Sequence, residues 1–153
     1  SMTFVVASLS SGAQAVAEVA RAALAGEPYE IIFLDWQMPG MDGIATAAQI
    51  RGLALARPPH LMMITAYGRD EVMRATKESG IEDLLVKPVS QSLLFDSVMR
   101  ILGSTAPEQT RSMESAPLGI NMEPIAGARI LLVEDNEINR EVATALLRSV
   151  GLK

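Results

Sequence analysis

The chain has 153 residues, 49% of them apolar, with a net charge of −5 and no cysteine. Disulfides and thiolate metal sites are thereby excluded, and the acidic balance argues against a nucleic-acid-binding face while suiting a hard divalent cation. No apolar run approaches the roughly twenty residues of a membrane span, and the length admits one well-buried domain, or one domain with part of another.

No charged-then-apolar signal segment opens the chain, and Ser1-Met2 reads as a cloning remnant ahead of an internal fragment. Residues 3–7 are a short β-branched run that predicts a strand. Ser10 or Ser11 then offers an N-cap, and Val16, Val19, Ala20, Ala23 and Leu24 recur at helical spacing up to Gly26. Ile31, Ile32, Phe33 and Leu34 are too few for a buried helix and are closed by turn residues, which predicts a strand covered on both faces. Asp35 stands at its end, followed by Trp36, Gln37 and the turn Met38-Pro39-Gly40-Met41-Asp42-Gly43, where proline fixes φ and glycine frees it.

Residues 43–55 are alanine-rich and predict a helix that stops before Arg57-Pro58-Pro59. Residues 60–65 predict a second buried strand, ending in the hydroxyl of Thr65. A more polar helix is expected over 69–78, then a short strand over 83–86 that ends at Lys87-Pro88. Ser90 caps a helix with Leu93, Leu94, Val98, Ile101 and Leu102 on one side and Gly103 beyond it. Strands alternating with helices imply a doubly wound parallel sheet, helices on both faces. The pattern breaks over 104–126, a stretch rich in Ser, Thr, Pro and Glu that reads as a linker. It resumes with Ile130, Leu131, Leu132 and Val133, another buried strand, which ends in Glu134 and Asp135. A helix follows, with Ile138, Val142, Ala145, Leu146 and Val150 in phase.

A carboxylate at the carboxyl end of a buried parallel strand lies on the edge where open α/β sheets place their chemistry. The block from Ile31 to Gly43, with its strand, acid and Met-Pro-Gly-x-Asp-Gly turn, resembles the phosphoacceptor loop of response-regulator receiver domains. Thr65 and Lys87-Pro88 match that family's fourth- and fifth-strand motifs, and Glu134-Asp135 matches its first-strand acidic pair. The resemblance implies a flavodoxin-like five-stranded sheet of order 2-1-3-4-5, in which Asp35 takes a phosphoryl group from a phosphohistidine donor, either a histidine kinase or a phosphotransfer protein. It implies Mg²⁺ held by Asp35, Asp135 and the backbone carbonyl of Gln37, with Glu134 close by or holding a water. Lys87 would pair with a phosphoryl oxygen, Thr65 would bind another and move inward, and the Lys87-Pro88 bond would be cis. The family's helix-four, strand-five, helix-five face would serve as an interaction or dimer surface. At the position where many receivers carry a switching aromatic, this chain has Leu84.

Each residue has a plainer reading beside this one. Asp35 alone would be a turn former, Thr65 a strand-end cap, Lys87 a solvated lysine, and Glu134-Asp135-Asn136 a helix cap. Asp42 reads as structural in its turn, His60 as a strand-edge residue, and Trp36 and Tyr67 as packing or as walls of the pocket. An aspartate-nucleophile phosphatase would want a second acid where Gln37 stands. A pseudo-receiver that only binds partners is the other alternative.

The motifs occur in permuted order. Residues 3–103 would supply the family's strands two to five, 104–127 a linker, and 128–153 strand one and helix one of a following receiver, as in a segment of a hybrid sensor histidine kinase with tandem receivers. The last stretch would dock in the same molecule, swap into a second one as a homodimer, or hang free. Burying Ile130, Leu131, Leu132 and Val133 at about 1.5–3 kcal/mol each disfavours the free form. The linker, some twenty residues of about 3.3 Å each when extended, tilts the balance toward docking within one chain. A cytoplasmic module is expected, with neither nucleic acid nor membrane as partner.

Overall fold

The computed structural model describes residues 4–67, 69–76, 78–103 and 127–150. The expected linker therefore lies outside the described residues, apart from Gly127. The elements in chain order are β1 (Val5–Leu9), α1 (Gly12–Leu24), β2 (Ile31–Asp35), α2 (Gly43–Gly52), β3 (His60–Thr65), α3 (Arg69–Thr76), β4 (Asp83–Val86), α4 (Gln91–Leu102), β5 (Arg129–Val133) and α5 (Glu137–Val150).

All five strands join one parallel sheet in the order β1-β5-β2-β3-β4. The last strand of the chain thus lies between the first two, with Val5 to Leu9 paired to Arg129 to Val133 on one edge and Ile31 to Leu34 paired to Ile130 to Val133 on the other. Side chains alternate across a strand, so β2 and β5 feed two cores. Ile31, Phe33, Ile130 and Leu132 pack with Leu94 and Val98 of α4 and Leu147 of α5. Ile32, Leu34, Leu131 and Val133 pack on the other face with Ala15 and Val19 of α1 and Ala47 and Ile50 of α2.

The caps follow local chemistry. Ser11, Asp42 and Ser90 each accept the amide three residues on, from Gln14, Ala45 and Leu93, at the starts of α1, α2 and α4. Asn136 does the same for the Asn139 amide at the start of α5.

Several boundaries and faces differ from expectation. β1 runs Val5–Leu9 rather than 3–7, because pairing with β5 sets its ends. α2 ends at Gly52, three residues early, and Ala54 turns the chain with φ 48°. α3 ends at Thr76. Of the stripe predicted on α5, Ile138 and Val142 face solvent while Leu147 carries the buried contact. On α1, Leu24 is 91% exposed, so the buried face is Gly12, Ala15, Val19 and Ala22 instead.

Candidate functional site

Because every strand is parallel, their carboxyl ends meet along one edge, and the motifs of the sequence collect there. Asp35 closes β2 and is buried. The loop after it is pinned by Trp36 N–H donating to the Ile64 carbonyl at 3.0 Å and Gly43 N–H donating to the Trp36 carbonyl at 2.8 Å. Gly43 sits so close that a Cβ there would stand 2.4 Å from the Asp35 carbonyl oxygen, and Gly40 turns with φ 81°.

Lys87 follows β4, its amide donating to the Thr65 carbonyl at 2.7 Å, and the Lys87-Pro88 peptide is cis. Its ammonium lies 3.3 Å from Asp35 Oδ1 and 2.8 Å from Glu134 Oε2. Glu134 continues the β1–β5 ladder, its amide donating to the Leu9 carbonyl at 3.0 Å. Asn136 takes the capping role, which leaves Glu134 and Asp135 to face the cluster. Asp35, Glu134 and Asp135 each offer a carboxylate oxygen within 4.8 Å of the others.

Burial, and after it the charge of Glu134, pushes the Asp35 carboxyl up to about 7. Burial pulls Lys87 down, but its hydrogen bond to Glu134 and the charges of both carboxylates outweigh that and leave it above the ordinary lysine value.

Thr65 ends β3, fully buried, and its hydroxyl accepts the Tyr67 amide at 3.0 Å. Gln37 is exposed, its side-chain oxygen accepting from the Tyr67 hydroxyl at 3.2 Å. Trp36 meets the Tyr67 ring edge-on with centroids 5.3 Å apart. Leu84 is buried against Met63 and Val72, and His60 pairs with Glu82 at 2.7 Å away from the cluster.

The structure therefore brings Asp35, Lys87, Glu134 and Asp135 together, with Thr65 on the neighbouring strand and engaged elsewhere. Arg140 was not foreseen, and the sequence marks Asn136 only as part of a Glu134-Asp135-Asn136 helix cap. Arg140 donates to the Glu134 carbonyl at 3.1 Å, and Glu134 Oε1 accepts the Asn136 amide at 3.2 Å. Only Asn136 carried a local signal, as a capping residue one position before α5.

Beside this cluster, Pro88, Val89 and Leu94 face Val142, Ala143 and Leu146 across a groove of about 440 Å³ between α4 and α5. Farther along the sheet edge, Val86 and Leu93 are exposed on the β4–α4 side. Among the described residues, no helix is long and apolar enough to cross a membrane.

The sensor histidine kinase GacS of Pseudomonas protegens is 32% identical over 106 residues, covering 66% of this chain and 12% of that protein. The response regulator PleD of Caulobacter vibrioides is 34% identical over 119 residues, covering 71% of this chain and 26% of PleD. The chain thus spans well under a third of either relative. Among solved structures, the receiver domain of the sensor histidine kinase PA1611 from Pseudomonas aeruginosa superposes with a TM-score of 0.53 at 26% identity. That match covers 63% of this chain and 75% of the other, which has a magnesium ion coordinated in its active site cleft. The CheX-CheY complex of Borrelia burgdorferi with BeF₃ and Mg²⁺ gives 0.51 at 26% identity, over 59% of this chain and 63% of that one. Residues 1–99 match the model of the response regulator receiver domain, and the chain belongs to that family.

Proposed function

We propose that this chain is a phosphoacceptor module of a two-component phosphorelay, taking a phosphoryl group from a phosphohistidine donor onto Asp35. The observation that carries this reading is the meeting of Asp35 with Lys87, Glu134 and Asp135 at the carboxyl edge of the sheet. An Asp35 oxygen bonds to phosphorus as the donor's N–P bond breaks, and the electron pair returns to the imidazole. Little covalent work is left to the protein, so positioning and charge decide the rate.

The three carboxylates form an all-oxygen set that fits Mg²⁺, which prefers hard ligands and keeps several waters. Asp35, Asp135 and the Gln37 carbonyl would hold it, with Glu134 alongside; when bound it neutralises charge on the phosphoryl oxygens. Lys87, a mobile point charge, exchanges Glu134 for a phosphoryl oxygen. The Thr65 hydroxyl leaves the Tyr67 amide to meet another.

The donor presents its histidine over the groove between α4 and α5, which opens beside Lys87 and Glu134. The face of α3, β4 and α4 passes the phosphorylated state to other partners or to a second copy. The parent protein is a cytoplasmic-facing hybrid sensor kinase with tandem receivers, a reading supported by the permuted motifs and by the likeness to GacS. In it, 3–103 belongs to one receiver, 104–127 to a linker and 128–153 to the next.

The test is labelling from a phosphohistidine donor with Mg²⁺. The expected result is one base-labile phosphoryl group per chain, absent in Asp35→Asn and after chelation. Label retained in Asp35→Asn, or none in a folded, metal-bound sample, overturns the reading.

A further inference from the structure

The three carboxylates of the site do not come from neighbouring sequence. Asp35 closes β2, whereas Glu134 and Asp135 follow β5, the strand of segment 127–150 that lies between β1 and β2. We propose that a divalent cation latches this segment into the sheet, so that metal binding and docking of 127–150 are one coupled equilibrium. The inference rests on reading Asp35 and Asp135 as ligands of the cation, with Glu134 alongside.

Docking assembles three acids near the Lys87 ammonium, with the Arg140 guanidinium on the Glu134 carbonyl, and still leaves more carboxylates than cations at short range. Coulomb repulsion between like charges a few ångströms apart opposes that assembly wherever water is excluded, and Glu134 is buried. The opposing force is the apolar burial of Ile130, Leu131, Leu132 and Val133, together with Leu147 of α5. A cation that draws on both Asp35 and Asp135 finds them together only when the segment is seated. It therefore favours the seated form, and the seated form reciprocally favours the cation. In a chain where the acidic pair preceded the acceptor within one continuous unit, no separate terminal segment would have to seat before the ligands met. Here the permuted order gives the metal a smaller, separable element to hold.

Hydrogen exchange of the full chain, followed by NMR with and without Mg²⁺, tests this, with Trp36 fluorescence and calorimetry recording metal uptake in parallel. In EDTA the amides of Leu131, Leu132 and Val133 are expected to exchange ahead of those of Met62 and Met63 on β3. Mg²⁺ at ten times its Kd is expected to slow the β5 amides about tenfold, and Asp135→Asn to abolish the slowing. Metal uptake with unchanged β5 exchange overturns the latch and leaves the phosphoacceptor reading standing. One common exchange rate for β5 and β3 in EDTA also overturns it, since the segment then has no opening of its own. Absence of uptake removes the metal reading beneath it and overturns both.

Discussion

The Lys87 ammonium is 2.8 Å from Glu134 Oε2, across 47 residues of sequence, and 3.3 Å from Asp35 Oδ1. One cation therefore serves two carboxylates whose side chains are only 10% and 5% exposed. Removing one partner of a buried ionic group leaves the other uncompensated. Lys87→Met is expected to destabilise the metal-free chain by about 2–3 kcal/mol at pH 8, at the lower end of such effects because Lys87 itself is partly solvated. Urea unfolding measures it, and the loss should shrink at pH 5, where a proton on Asp35 replaces the missing charge.

The Asp35 carboxyl, held up to about 7 against an ordinary value of 3.8 by burial first and by Glu134 second, makes stability depend on pH. The fold favours the protonated form, so its contribution is complete below the unfolded value and is lost as pH rises through about 7. The whole effect is on the order of 4 kcal/mol at most. In EDTA the urea midpoint should fall between pH 5 and pH 8. Proton and cation compete for the same oxygens, so Mg²⁺ affinity should climb toward tenfold per pH unit below about 7 and level off above it. A Trp36 fluorescence titration from pH 5.5 to 8.5 checks that, and a flat profile would contradict it.

Leu131 holds β5 between its neighbours, fully buried against the α1–α2 side. Leu131→Ala is expected to destabilise the fold by about 2–5 kcal/mol through lost burial and a residual cavity. If the segment docks as its own unit, the same change should also weaken Mg²⁺ binding, because fewer molecules present Glu134 and Asp135 to Asp35. Denaturation and calorimetry on one sample read both effects.

How far the sequence could be read depended on whether the information was local. β2 and β3 were legible because a buried parallel strand is an uninterrupted apolar run, and their ends named Asp35 and Thr65 directly. Lys87 was legible through the proline after it, and the caps at Ser11 (one of two serines on offer) and Ser90 through capping chemistry, whereas Asp42, which caps α2, reads in the sequence only as a turn residue. The frame of β1 was not, since its partner comes from the other end of the chain and sets which residues pair. Nor was the orientation of α5: Ile138, Val142 and Leu146 share one helical phase, and periodicity alone does not say whether that stripe meets the core or a partner. The bond from Lys87 to Glu134 is tertiary, with no trace in spacing, and the one from Arg140 back to the Glu134 carbonyl, six residues away, follows no capping pattern.

Part of that stripe on α5 lies exposed beside the site. Ile138 is 72% and Val142 54% exposed on α5, and Val142 lines the groove that opens beside Lys87. Scattered surface apolar residues need no explanation, but these lie one helical turn apart at the rim of the site. A donor domain covering them would bury apolar area next to its phosphohistidine. Ile138→Asp with Val142→Asp should leave stability within about 0.5–1 kcal/mol, since neither side chain supports the core. Transfer from a phosphohistidine donor should fall about tenfold or more, equivalent to about 1.4 kcal/mol of docking energy. Labelling by a small-molecule phosphodonor, which needs only Asp35, Lys87 and the metal ligands, should be unchanged. Equal loss with both donors would place the effect in the site rather than in the docking surface, and the groove would then have no part in recognising the donor.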